Sequence, residues 1–228
     1  MRNFWTQLPK PFFAMAPMAD VTDAAFRRLF ARYGKPDVTW TEFVSADGLC
    51  HPVGRQVLMT DLLYTEAERP IVAQVFTAYP ERMREAAALI AGLGFDGLDI
   101  NMGCPDKSIL KQGAGAKLMQ NPSLAQELIV AAKEGVAGRI PVSVKTRIGF
   151  NTNELETWLP ALLDAQPAAI TVHARTKKEM SLVPARWEHV ARAVELARGS
   201  GVLILGNGDV KSMAEARARV EETGCDGV

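Results

Sequence analysis

Short apolar runs alternate with segments of helical period along the whole chain. The runs FFAMA (12–16), DVTWTEF (37–43), PIVAQVF (70–76), DGLDI (96–100), IPVSVKT (140–146), AAITVHA (168–174) and GVLILGN (201–207) are predicted to be strands. They are apolar throughout rather than alternating, as expected where both faces of a parallel sheet are covered. Between them lie amphipathic stretches with helix punctuation. TDAAFRRLFARYG has a Thr/Asp start, Phe26, Leu29, Phe30 and Tyr33 on one face, and a terminal glycine. YPERMREAAALIAGLG has Pro80 near its start and Gly94 near its stop. NPSLAQELIVAAKEGV, NELETWLPALLDA (with Pro160 a potential kink), ARWEHVARAVELARG and KSMAEARARVEETG complete the set. The stretch through Gly48, Pro52 and Gly54 has no clear period.

Strand–helix alternation implies right-handed βαβ units and a parallel sheet. Seven complete units, with an eighth beginning at CDGV, predict an α/β fold of the (β/α)8 TIM-barrel type, incomplete at strand 8. A doubly wound open sheet is the alternative. It normally carries GxGxxG after its first strand, and AMAPMADVTD has no such turn. A chain of 228 residues suits one such domain.

Charge and cysteine content narrow the partners. Lys plus Arg balances Asp plus Glu, so the whole surface is not a basic nucleic-acid binder, although a local basic patch is compatible with the count. The three cysteines, Cys50, Cys104 and Cys225, form no CxxC pair, which fits a reducing cytoplasmic setting without disulfides or structural zinc. The three histidines, His51, His173 and His189, form no HxH pair, so no metal is expected. No signal-peptide pattern or run of eighteen apolar residues suggests a membrane partner.

Barrel active sites lie at the C-terminal ends of the strands. There the sequence places Pro17 and Met18, Glu42, Gln74, Asn101 with Cys104 just beyond, Lys145 and Arg147, His173 and Arg175, and Asn207, Gly208 and Asp209. Cys104 sits in a Gly-Cys-Pro turn. The following proline restricts it to extended geometry, so the thiol is rigidly aimed. A cysteine is often only a small core hydrophobe, and a thiol of ordinary pKa is protonated at neutral pH. Cys104 therefore suits a proton donor as well as a nucleophile. The loop of about twenty residues after DGLDI is long for a compact domain, as functional loops are. Its GAGAK (113–117) lacks the P-loop spacing.

Six ordered blocks, APMADVTDAAFRRLF, TEFVSADGL, DINMGCPDKSILKQGAGAKLM, VSVKTRIGF, TVHARTK and LGNGD, together resemble the tRNA-dihydrouridine synthase family. The resemblance runs from Pro17 to Val228. It implies an FMN-dependent enzyme that reduces uridine in tRNA to 5,6-dihydrouridine with electrons from NADPH. Hydride goes to C6 from the reduced flavin, and Cys104 delivers a proton to C5 from the opposite face. It further implies flavin contacts from Pro17, Met18, Gln74, Lys145 and His173, with Lys145 at the N1/C2=O edge. Asn207, Gly208 and Asp209 are expected at the phosphate, where barrel phosphates often bind. Asn101 is expected to face the uracil, and Lys107, Lys111 and Arg175 to meet tRNA phosphates. Lys117, Lys177 and Lys178 are further candidates for that contact.

The family continues beyond CDGV into a Gly-Arg phosphate-binding segment and a helical tRNA-binding domain, neither of which is in this sequence. Residues 1–228 are thus expected to be the FMN-binding barrel domain of a longer protein. By themselves they are expected to hold FMN poorly, to turn over tRNA poorly and to leave two sheet edges open. Two other functions fit a barrel with this rim. One is a dihydroorotate dehydrogenase-like FMN oxidoreductase acting on a free small molecule. The other is a non-catalytic RNA-binding barrel, which would need neither Cys104 nor Lys145.

Overall fold

The computed structural model describes residues 3–228. Six parallel strands follow one another in chain order: β1 (Thr39–Ser45), β2 (Ile71–Phe76), β3 (Gly97–Met102), β4 (Val142–Arg147), β5 (Ala169–His173) and β6 (Leu203–Asn207). β2 and β3 are buried along their whole length, because the barrel interior covers one face and helices the other. The register sets Gln74 beside Asp99, Asp99 beside Ser143, and Asn101 beside Lys145. It sets Arg147 beside His173, and His173 beside Asn207.

The first and eighth staves of the barrel are short. Residues 12–14 make isolated parallel bridges rather than the full strand expected for 12–16. Met15 N–H donates to the Val38 carbonyl (3.0 Å) on one side, and Ala14 N–H to the Val228 carbonyl (2.8 Å) on the other. Residues 226–228 bond to both neighbours. Val228 N–H donates to Phe12 O (3.1 Å), Asp226 N–H to Ile204 O (2.8 Å), and Gly206 N–H to Gly227 O (3.0 Å). Gly227 permits this approach, since a Cβ there would lie 2.6 Å from the Phe12 carbonyl oxygen. The expectation of two open sheet edges is therefore corrected. The eighth stave is only a stub, yet its backbone groups close the ring, because unpaired N–H and C=O groups in a buried layer are costly.

The helices are α1 (Ala24–Tyr33), α2 (Ala46–Cys50), α3 (Pro52–Leu58), α4 (Pro80–Gly92), α5 (Lys107–Lys111), α6 (Pro122–Val136), α7 (Leu155–Asp164), α8 (Glu188–Ala197) and α9 (Met213–Thr223). Side-chain caps start several of them: Asp23 accepts from Phe26 N–H at α1, and Asn121 from Leu124 N–H at α6. Pro160 lies inside α7, which spans both sides of it. α2 and α3 occupy the stretch without clear period. Pro52 stands at the first turn of α3, where a missing N–H costs nothing. Gly54 lets α3 approach α2, because a Cβ there would lie 2.5 Å from Gly48 O.

α1 departs from its amphipathic pattern. Leu29, Phe30 and Tyr33 are exposed, and its one fully buried side chain is Arg27. Arg27 Nε donates to Glu68 Oε2 at 2.8 Å, both side chains having no solvent exposure. A second guanidinium N–H reaches Thr22 O at 2.7 Å. The apolar core lies between the sheet and α4, α6, α7 and α8. Among the described residues, no helix is long and apolar enough to cross a membrane.

Candidate active site

A cavity of about 330 Å3 opens at the C-terminal ends of the strands. Pro17, Met18, Gln74, Asn101, Cys104, Lys145, His173, Arg175, Asn207, Gly208 and Asp209 all line it. Lys107 and Lys111 do not: they lie exposed on α5.

The Cys104 turn is fixed at both ends of its peptide. Its N–H donates to Asn101 Oδ1 at 2.9 Å, and Gly103 N–H donates to the same oxygen at 3.1 Å. Its carbonyl accepts Ala116 N–H at 3.0 Å. The glycine-rich GAGAK segment makes that last bond. Gly115 (φ +60°) fits beneath the turn, and a Cβ there would lie 2.9 Å from Cys104 O and 2.8 Å from Ile109 Cγ2. The long loop is therefore ordered, with α5 and the 3-10 turn Gly115–Gln120 inside it. Cys104 itself is half-buried, and burial is the largest influence raising its thiol pKa above the ordinary value. The group is thus a thiol, not a thiolate, at neutral pH.

Lys145 faces the same cavity. Its Nζ donates to Asn207 Oδ1 at 2.9 Å, and its other N–H groups have no partner among the described residues. Burial, then the charge of Arg147, lowers its pKa to about 8. His173 is held neutral, with its pKa pushed down to about 2 by burial and then by Lys145, Arg147 and Arg175. An Arg175 N–H lies 3.0 Å from His173 Nε2. Because a guanidinium only donates, Nε2 is the acceptor and the ring proton sits on Nδ1. Gly208 (φ +125°) packs against this imidazole: a Cβ there would lie 3.1 Å from His173 Cδ2 and 2.8 Å from Ala185 Cβ.

Two nominated residues are more occupied than the sequence suggested. Arg175 is 5% exposed. Besides His173, it bonds Val183 O at 2.6 Å and the Asp209 carboxylate, so it organises the rim instead of standing free. The Arg175 hydrogen bond holds the Asp209 carboxyl below its ordinary pKa. Asn101 gives its carbonyl oxygen to the Cys104 turn, and its Nδ2 donates to Gln74 Oε1 at 3.2 Å.

Arg147, at a strand end, belongs to the site, and Asp99 supports it from outside the cavity lining through Gln74. Arg147 lines the cavity and donates from Nε to Gly103 O at 2.9 Å and from one terminal nitrogen to Met180 O at 3.0 Å. Burial lowers its pKa to about 10. Its position at a strand end was the only signal in the sequence. Asp99 is fully buried, accepting from Gln74 Nε2 (2.7 Å) and Ser143 Oγ (2.6 Å). Burial raises its pKa to about 6. Among the described residues, no group of three or more His, Cys, Asp and Glu side chains could hold a metal ion.

The donor set suits an acceptor-rich, anionic group. Lys145 has N–H groups to give, and three cations, Lys145, Arg147 and Arg175, line one cavity with Asp209 as their counter-charge there. Gly208 (φ +125°) lines the cavity with backbone alone, and the space where its side chain would stand is filled by Ala185 and His173.

Comparison with known proteins agrees with this architecture. The chain shares its fold with 6-hydroxypseudooxynicotine amine oxidase from Pseudomonas geniculata N1 (TM-score 0.69, 12% identity, 96% of this chain and 44% of that one). It also shares it with histamine dehydrogenase from Rhizobium sp. 4-9 (TM-score 0.64, 13% identity, 95% and 43%). At these identities the likeness concerns the fold alone. Sequence relatives are nearer. Probable tRNA-dihydrouridine synthase 2 of Bacillus subtilis (strain 168) is 42% identical over 99% of this chain and 70% of its own length. Probable tRNA-dihydrouridine synthase of Staphylococcus aureus (strain COL) is 40% identical over 99% and 69%. The family model described as Dihydrouridine synthase (Dus) matches residues 14–228, and the chain belongs to that family of oxidoreductases.

Proposed function

We propose that this chain reduces the C5–C6 double bond of uridine in tRNA, with FMN as its cofactor and NADPH as the source of electrons. The observation that carries the reading is the state of Cys104. Its turn is fixed at both ends of its peptide, it lines the same cavity as an under-bonded lysine, and burial moves its thiol pKa up from a value already above neutral. A protonated, aimed thiol is a general acid. A bound flavin supplies the hydride that arrives at C6 of the uracil. Cys104 Sγ gives its proton to C5, and the resulting thiolate is reprotonated from solvent, so the base gains two hydrogens.

The remaining side chains hold and polarise the cofactor. Lys145 offers N–H groups and positive charge to the ring edge where negative charge develops on reduction. His173, neutral with Nε2 bound to Arg175, presents an apolar ring edge beside Gly208. Asn207, Gly208 and Asp209 form the turn assigned to the phosphate, and Pro17, Met18 and Gln74 the wall assigned to the flavin ring.

The target base must leave the tRNA stack to enter the cavity. Lys107, Lys111, Lys117, Lys177 and Lys178 make no ion pair among the described residues, and are therefore available to phosphates. Lys117 and Lys177 stand 5.7 and 4.8 Å from the Phe150 ring centre, a cation–aromatic surface on the same rim. Arg175, being buried, serves the pocket and not the tRNA surface.

The test is incubation at saturating FMN with NADPH and unmodified tRNA, followed by mass analysis of the nucleosides. The expected result is a gain of two hydrogens at a uridine, lost in Cys104→Ala. Full turnover by Cys104→Ala would overturn the general-acid assignment. Oxidation of NADPH that leaves tRNA unchanged, coupled to a free pyrimidine, would favour the small-molecule oxidoreductase.

A further inference from the structure

Asp99 is not in the cavity lining and touches nothing that reacts, yet it heads a continuous chain of hydrogen bonds that ends on Cys104. Ser143 Oγ and Gln74 Nε2 both donate to its carboxylate, at 2.6 and 2.7 Å. A side-chain amide has distinct donor and acceptor ends. The carboxylate accepts only, so it compels Gln74 to turn its NH2 inward. Gln74 Oε1 is then the end left for Asn101, whose Nδ2 donates to it at 3.2 Å. Asn101 is thereby compelled in turn to direct Oδ1 at the loop, where it accepts both Gly103 N–H (3.1 Å) and Cys104 N–H (2.9 Å). All three side chains of this relay are buried. Reversing any one amide would set two donors, or two acceptors, face to face.

We propose that Asp99 is a positioning residue for Cys104, setting the direction of the Gln74–Asn101 relay so that the Gly-Cys-Pro turn is held by Asn101 Oδ1. The proposal rests on the reading of Cys104 as the working thiol, and it adds a residue from the barrel interior, two positions before Asn101 on β3. It also accounts for a carboxylate inside the barrel: a buried carboxylate is costly unless hydrogen-bonded, and this one is bonded at both oxygens. Neutral alternatives at position 99 differ in what they preserve. Asn keeps an acceptor for Gln74 Nε2, whereas Leu, with the same branched skeleton but methyl groups in place of the oxygens, keeps none.

The test compares Asp99→Leu, Asp99→Asn, Asn101→Ala and the double variant Asp99→Leu/Asn101→Ala. Two readouts are followed: dihydrouridine formation, and the alkylation rate of the Cys104 peptide by iodoacetamide, measured by mass spectrometry. The expected result for Asp99→Leu is a kcat lowered about tenfold or more with KM changed less than about threefold, since one buried acceptor is lost from a positioned group. Its Cys104 alkylation rate departs from that of the parent, while Asp99→Asn stays near the parent in both. In the Asn101→Ala background, Asp99→Leu adds nothing further, because the relay is already cut.

Additive losses in the double variant, or an unchanged Cys104 alkylation rate in Asp99→Leu, would overturn the proposal. If Asp99→Leu does not fold, Asn101→Ala and a Gln74→Leu variant, which cuts the relay while leaving Ser143 on Asp99, give the same comparison. Alkylation does not depend on turnover. A Cys104→Ala enzyme that remained active would refute the general-acid reading while leaving the positional effect of Asp99 measurable.

Discussion

Replacing Lys145 by Met should make the protein more stable and the site less competent. Burial and the charge of Arg147 lower the Lys145 pKa from 10.5 to about 8. The charged lysine is therefore less favourable in the folded chain than in the unfolded one, by on the order of 3 kcal/mol near neutral pH. Loss of its hydrogen bond to Asn207 Oδ1 takes back about 1 kcal/mol. Lys145→Met, of similar length, should then gain roughly 2 kcal/mol without ligand at pH 7, a Tm rise of about 4–8 °C for a chain of this size.

The sign fixes a pH signature. Between pH 8 and 10.5 the unfolded chain binds more protons at this lysine than the folded one, so the parent gains stability as pH rises through that window. Below pH 8 the penalty is fully present, and above 10.5 it is gone. Thermal melts of parent and variant at pH 7 and pH 10 should therefore converge at the higher pH. The same substitution should weaken binding of reduced FMN more than that of oxidised FMN. A variant that melts below the parent at pH 7, or a difference independent of pH, would refute this account of the lysine.

Two further substitutions probe the frame. Arg27→Met removes the buried partner of Glu68 and leaves only the exposed Arg28, 4.0 Å away, at a cost of roughly 3–5 kcal/mol. Its Tm should drop by about 10 °C, and a drop of only about 2 °C would show the pair to be dispensable. Gly115→Ala forces a Cβ into a left-handed position against Cys104 O and Ile109 Cγ2, costing about 1–2 kcal/mol in backbone strain alone. It should lower kcat more than it lowers stability, read from turnover and thermal melts of the same preparation, and a variant with parental kcat would contradict the role given to that loop.

The barrel was legible because its strands are buried on both faces, so each reads as an unbroken apolar run between helical periods. β2 through β6 fall within or close to the runs that predicted them. What was illegible depended on neighbours distant in sequence. Residues 12–16 read as a strand, yet only 12 and 14 bridge, because their partner on one side is a three-residue stub. α2 and α3 were hidden by Gly48, Pro52 and Gly54, which look like loop punctuation. Gly54 in fact admits a close contact between the two helices, and Pro52 starts the second. The sequence puts Phe26, Leu29, Phe30 and Tyr33 on one face of α1, yet Leu29, Phe30 and Tyr33 are exposed, and the helix turns Arg27 inward to Glu68.

Position at strand ends collects the cavity-lining residues together with Glu42, which lines a different cavity, and the roles come from the family resemblance. Position said nothing of occupancy. Arg175 and Asn101 were nominated for RNA and base, and both prove to be bonded within the protein. Asp99 has no side-chain role in the sequence reading. A lone carboxylate in GLDIN gives no signal until Gln74 and Ser143 are brought beside it by β2 and β4.

The central claim, that Cys104 is the proton donor to C5, is tested most directly by running the reduction in D2O with parent and Cys104→Ala enzyme and locating the deuterium. For the parent, the account predicts one deuterium at C5, on the face opposite the hydrogen delivered to C6, with dihydrouridine formation lost in Cys104→Ala. Deuterium on the same face as that hydrogen, or an undiminished rate in Cys104→Ala, would contradict it.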